Sequence, residues 1–132
     1  MFGVQSQSFS SDGHRLSMMN YFGEIVSLDL ATEKIISSFP TDELKPSQAG
    51  NFCVSPDDSK IACGTSSLQG VEIRDPKTGR LLYSLPDEAG TIYWLAWSPD
   101  NHRLAVARDD GSIGIWNLDT VDQILAKLGL NP

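Results

Sequence analysis

The chain has 132 residues, 40% of them apolar, which suits one globular domain with a modest core. Ten basic against 17 acidic residues give a net charge of −7 with no cluster of lysine or arginine, so nucleic-acid binding, which needs a positive patch, is not expected. No apolar run approaches the roughly 18–20 residues that cross a bilayer, and residues 1–10 lack the charged start and apolar stretch of a secretory signal, so no membrane association and a cytoplasmic location are expected.

Taken in chain order, short strand signals alternate with turn signals. Strands are expected over 3–10, 15–19, 24–30 and 34–39, with a turn at Ala31-Thr32-Glu33. The next set is 51–54, 60–65, 71–75 and 80–85, with a loose turn through Gly70 and a turn at Pro76-Lys77-Thr78-Gly79. The last set is 91–97, 103–108 and 112–118. Asp109-Asp110-Gly111 reads as a tight hairpin turn in which Gly111 takes positive φ. Beyond it, Val121, Ile124, Leu125 and Leu128 recur at helical spacing, so a short helix is expected over 119–130, capped by Asp119 or Thr120 and ended by Gly129. Its stripe either covers an end of the domain or docks onto a partner.

A repeated phrase organises these strands. Phe9-Ser10-Ser11-Asp12, Val54-Ser55-Pro56-Asp57 and Trp97-Ser98-Pro99-Asp100 each join two strands, and the three aspartates are 45 and 43 residues apart. A period in the low forties marks a repeat architecture, with units at about 1–45, 46–90 and 91–118 in a single domain spanning 1–132. Four short strands per period select a β-propeller, one blade to each repeat.

The run Leu95-Ala96-Trp97-Ser98-Pro99-Asp100, then Leu104-Ala105-Val106-Ala107, then Asp110-Gly111-Ser112-Ile113-Gly114-Ile115-Trp116 resembles the bacterial WD-repeat β-propeller family. The resemblance is strongest over 91–118 and weakest over 1–40, and the tail 117–131 is similar to the C-terminal ending of large bacterial members. It implies a protein-binding scaffold. The pattern departs from the family in places. The namesake Trp-Asp is Trp116-Asn117, Arg74-Asp75 and Leu28-Asp29 here, and the Gly-His dipeptide before each repeat is missing. The buried hydrogen-bond network that the family builds from these residues is matched only by Asp110 and Trp116, so Asp110 reads as a turn residue.

The expected fold is thus all-β: a partial β-propeller of about three four-stranded antiparallel blades, the last incomplete, with a short C-terminal helix. Propellers close with roughly four to eight blades. An open stack of three exposes apolar faces and sheet edges. Either the chain is a piece of a longer propeller, or copies self-associate, for example two chains giving six blades.

Chemistry is hard to find. His14 and His102 occupy the same turn in two repeats and do not converge on anything. Asp57, Asp58, Asp109, Asp110, Asp42 and Glu43 are turn doublets, not a facing pair. The glycines Gly50, Gly64, Gly70 and Gly111 are scattered beside strand ends and make no phosphate loop, and Ser10 and Ser98 have no base at a readable spacing. Cys53 and Cys63 fall on two arms of one hairpin, so a cross-strand disulfide is conceivable. The plainer reading is two buried thiols, and two cysteines alone make no metal site. Trp97 and Trp116 read as core. Tyr93 and Trp94, at the start of the innermost strand of the third blade, read either as interblade packing or, with Arg108 and Arg74, as a rim surface for a protein partner, since aromatics and arginine dominate interface energetics. The expectation is a protein-interaction scaffold or regulatory module with no catalytic residue, cofactor or metal. The alternatives are a propeller-type hydrolase or oxidoreductase domain, or a fragment of a longer repeat protein without activity of its own.

Overall fold

A computed structural model describes residues 4–20, 24–40, 52–65 and 69–130. Asp42, Glu43, Gly50 and Asn51, named above, lie outside them. The described chain forms eleven strands and one helix. Blade one holds β1 (Val4–Phe9), β2 (Arg15–Asn20), β3 (Glu24–Asp29) and β4 (Lys34–Pro40). Blade two holds β5 (Phe52–Val54), β6 (Ile61–Gly64), β7 (Val71–Arg74) and β8 (Leu81–Leu85). Blade three holds β9 (Ile92–Trp97), β10 (Arg103–Arg108) and β11 (Ile113–Asn117), which runs straight into α1 (Leu118–Lys127). Each blade is an antiparallel meander in chain order, and the first strands β1, β5 and β9 lie side by side. This is the expected partial β-propeller with an incomplete last blade, and the sheets do not close into a ring.

The turn between the first two strands is built the same way three times. Ser10, Ser55 and Ser98 each give a hydroxyl hydrogen bond to the carboxylate two residues on, at 2.5 Å to Asp12, 2.7 Å to Asp57, and also to Asp100. Each serine oxygen then accepts the amide five residues later, from Arg15 at 3.0 Å, Lys60 at 3.0 Å and Arg103 at 2.9 Å. The residue after the aspartate takes left-handed φ in every copy: Gly13 at 72°, Asp58 at 59° and Asn101 at 67°. Glycine, asparagine and aspartate are the residues that adopt this conformation most readily.

Burial follows from stacking. The side chains of β6 and β7 are buried on both sheet faces, because blade two lies between its neighbours. In blade one, β2 and β3 bury alternate residues only. Met19 and Ile25 of blade one pack with Phe52, Val54, Ile61 and Cys63 of blade two. The other face of blade two contributes Ala62, Ile73, Tyr83 and Leu85 to a larger cluster with Ile92, Leu95, Leu104, Val106 and Leu118. Facing blade two, the cross-strand row of blade one is Ser8, Ser17, Ser27 and Ser37, and the buried hydroxyls of Ser17 and Ser27 bond each other at 2.9 Å.

The helix cap differs from expectation. The cap is Asn117, whose side-chain oxygen accepts the Thr120 amide at 3.1 Å, not Asp119 or Thr120. The strand ends one residue before the helix begins, so the capping side chain belongs to β11. At the other end Gly129, at φ 70°, and Leu130 bond back to Ala126 and Leu125, the geometry that closes a helix on a glycine. The helix covers the domain: Leu118 is buried, Val121 and Leu125 pack on the larger core, and Asp122 holds Lys60 of blade two at 2.7 Å. Ile124 and Leu128 remain exposed.

Candidate interaction surface

Strand β9 presents its aromatics through a local irregularity. Arg108 stands opposite Ile92 and Ala107 opposite Trp94, so Tyr93 is the additional residue of a bulge. A bulge re-aims side chains. Here Ile92 and Leu95 point into the core while Tyr93 and Trp94 are 72% and 64% exposed. Trp94 shares its sheet face with Ala96 by strand alternation.

The two arginines sit differently. Arg108 is only 6% exposed. Its guanidinium donates to the Gly90 carbonyl at 2.8 Å, the Gln69 carbonyl at 3.2 Å and the Glu88 carboxylate at 3.0 Å. It ties the loop before β9 to the loop before β7. Arg74 is 8% exposed and donates to Glu72 through Nε at 2.9 Å and to the Gly79 carbonyl at 2.9 Å. Arg74 pairs with Ile61 and Ile61 with Val54, the counterpart of Trp97, so Arg74 lies at the far end of the strands from Tyr93 and Trp94. The structure therefore brings Tyr93, Trp94 and Arg108 to one end of blade three, with Arg108 engaged internally, and separates Arg74 from them. An arginine carried to that depth requires a buried counter-charge, and Glu72, two residues away on the same face, provides it.

The other candidates fall into turns and core. Asp110 accepts the Ser112 amide at 2.8 Å, and Gly111 has φ 85°, as a hairpin turn requires. Asp109 accepts the Thr91 amide at 3.0 Å. Trp97 and Trp116 are half-buried against the larger core, and the Trp97 indole donates to the Cys53 carbonyl across the blade boundary at 3.1 Å. Both cysteines are free thiols. Cys53 pairs with Ala62 and Cys63 with Phe52, so the two side chains project from opposite sheet faces, which excludes the conceivable disulfide. Burial pushes the Cys63 thiol up to about 12 and that of Cys53 higher still, so both stay protonated and inert.

Electrostatics at the repeated turns stabilise the charged carboxylates. Hydrogen bonds from the serine hydroxyl, then from the following amide, hold Asp12 and Asp100 below the ordinary value of 3.8. At Asp57 desolvation works in the opposite direction, and donors from Ser55 and Ser59 overcome it. His102 donates to Asp119 at the start of α1 at 2.7 Å, and that hydrogen bond and charge raise its pKa above 6.5. Between blades, Arg15 forms an ion pair with Asp58, and the Asp57 amide donates to the Asn101 side chain at 2.8 Å. A polar cleft of about 460 Å³ lies at the first of these junctions, lined by Arg15, Asp57, Asp58, Ser59, Asp75, Pro76 and Lys77. Among the described residues no three His, Cys, Asp or Glu side chains gather as metal ligands, and no helix is long and apolar enough to cross a membrane.

Sequence reasoning missed one surface. The outward face of blade three carries a hollow of about 290 Å³ lined by Ala96, Trp97, Ser98, Arg103, Ala105 and Ile115. The available signal was the alternation of Ala105 and Ala107 with Leu104 and Val106 along β10, with Ala96 opposite Ala105 on β9.

Residues 79–117 match the family model described as "WD domain, G-beta repeat". The match begins just before β8 of blade two and ends with β11, so one sequence repeat spans two blades. The protein described as "WD repeat-containing protein 26 homolog" of Arabidopsis thaliana is 47% identical over 64 residues, which are 48% of this chain and 11% of the relative. The chain thus spans about a tenth of the length of that curated relative.

Proposed function

We propose that this chain is a protein-interaction module, a scaffold or regulatory element of WD-repeat type without chemistry of its own, acting in the cytoplasm. WD repeats typically mediate protein interactions, and residues 79–117 carry the repeat. The assignment to a bacterial cell rests on the repeat phrases alone; the matched relative is a plant protein. The observation that carries the reading is the exposure of two adjacent large aromatics, Tyr93 and Trp94, on a bulged inner strand whose neighbours are buried. Aromatic anchors of this kind contribute most to interfaces. Arg108 supports them from below by fixing the loop at Gly90.

The test is capture. Immobilised wild-type chain and the variant carrying Tyr93→Ala and Trp94→Ala are compared for the proteins they retain, with circular dichroism on both. The expected result is loss of the captured partner by the variant with the β signal unchanged. Equal capture would place the contact elsewhere. Turnover of generic ester, phosphate or glycoside substrates by the wild type would overturn the non-catalytic reading.

A further inference from the structure

The three blades interlock by one rule. On each blade a cross-strand row of large side chains faces the preceding blade, and the adjacent row, offset by one residue, receives the following blade. In blade three the inserting row is Trp97, Leu104 and Trp116. Trp97 reaches the receiving row of blade two and bonds the Cys53 carbonyl at 3.1 Å. The counterpart of Trp97 in the repeated phrase is Phe9 of blade one. Phe9 heads a row with Leu16, Leu28 and Ile35, meets no other blade on that face among the described residues, and is 60% exposed. The counterpart of the receiving row is Ala96, Ala105 and Ile115 on blade three. This is the hollow of about 290 Å³, and Ile115 on it is 61% exposed.

The geometry points to a second copy of this chain as the occupant: Phe9 of one copy seats in the Ala96–Ala105–Ile115 hollow of the other, and the reciprocal junction closes a ring of two chains and six blades. Three observations favour a copy over an unrelated partner. The hollow is the register equivalent of the site that already holds Trp97, so its floor of small side chains suits an aromatic knob from the same position of a repeat. Arg103, the exposed counterpart of Arg15, comes against the Ser11-Asp12-Gly13 turn of the copy. There the counterpart of Asp58 is the uncharged Gly13, and the exposed Asp12 carboxylate next to it is the opposite charge in that turn. The area also suffices. Phe9, Ile35, Ile113 and Ile115 are each about two-thirds exposed, and with the half-buried members of their rows they offer roughly 500 Å² of side-chain surface per junction. Two junctions reach roughly 1,000 Å² before any backbone contact is counted, the threshold that a specific interface has to clear. The contact is heterologous, and a heterologous contact gives a closed ring when its rotation divides the circle. Six blades lie within the range over which propellers close, and the second junction of the ring forms intramolecularly.

The experiment is sedimentation velocity and light scattering across a concentration series, with circular dichroism on each sample. The expected species has twice the 14.4 kDa chain mass. Phe9→Glu and Ile115→Glu, both at exposed positions, are each expected to weaken dimerisation by roughly 30-fold or more with the β signal retained. A mixture of the two variants keeps one intact junction, so it associates more than either alone. A second measurement does not depend on those variants folding well: a chain carrying Phe9→Cys and Ala96→Cys cross-links between chains under mild oxidation, since Cys53 and Cys63 are shielded. A well-folded wild-type monomer at all concentrations, a ladder of higher masses, a dimer indifferent to Phe9→Glu, or absence of the cross-link would each overturn the proposal.

Discussion

His14 and His102 hold the same place in two repeats, and at the third repeat the helix brings Asp119 within 2.7 Å of the His102 imidazole. The hydrogen bond to Asp119 raises the His102 pKa above 6.5. A histidine with a raised folded-state pKa stabilises the fold fully below its unfolded value and loses that contribution as pH rises through its folded value. The helix end is therefore held more firmly on the acid side of 6.5 than above the raised value. An NMR titration of the His102 imidazole should place its midpoint above 6.5. Asp119→Asn should bring that midpoint back down towards 6.5, and a wild-type midpoint at or below 6.5 would refute the pairing.

The strands were legible because each is bounded by turn chemistry that recurs. Position 13, 58 or 101 had to be Gly, Asp or Asn to take left-handed φ, and the repeat shows one of each. The helix stripe was legible too, but its cap was not. The spacing of Val121, Ile124, Leu125 and Leu128 places a face without saying that β11 leads directly into the first turn, which is what gives Asn117 the cap. Asn117→Ala removes the acceptor of the Thr120 amide and should cost about 1 kcal/mol of stability. A urea melt would read that loss, and an unchanged midpoint would show that water satisfies the amide equally well. The ion pair of Lys60 with Asp122 is half exposed and contributes little to the same attachment, so the cap and the buried Leu118 carry it.

The candidate surface was legible only in part, for a reason that belongs to the element scale as well. Tyr93 and Trp94 are adjacent in an alternating strand, where one of them is expected to face the core. Their joint exposure depends on the bulge opposite Arg108, which no local pattern announces. Arg108 and Arg74 read as surface groups from sequence because arginine is seldom buried. Their partners are two loop carbonyls and Glu88 in one case, and Glu72 with the Gly79 carbonyl in the other, contacts that exist only after the chain has folded.

At the scale of the whole molecule, each blade touches only its neighbours, so stability is close to a sum of blade and junction contributions. Blade two has two junctions, whereas blades one and three have one each among the described residues. The side chains of β6 and β7 are buried on both faces, while β11 forms an outer edge with alternate residues exposed. Local opening is easiest where buried contacts are fewest. Amide hydrogen exchange on the isolated monomer should therefore be slowest in β6, β7 and β10, and fastest in β4 and β11. Ring closure would cover the outward faces of blades one and three, so the dimer should raise protection in β2 and β11 selectively, with little change in β6 and β7. Uniform exchange across the three blades would mean that they open as one unit, and the account of the core as a sum of junctions would fail.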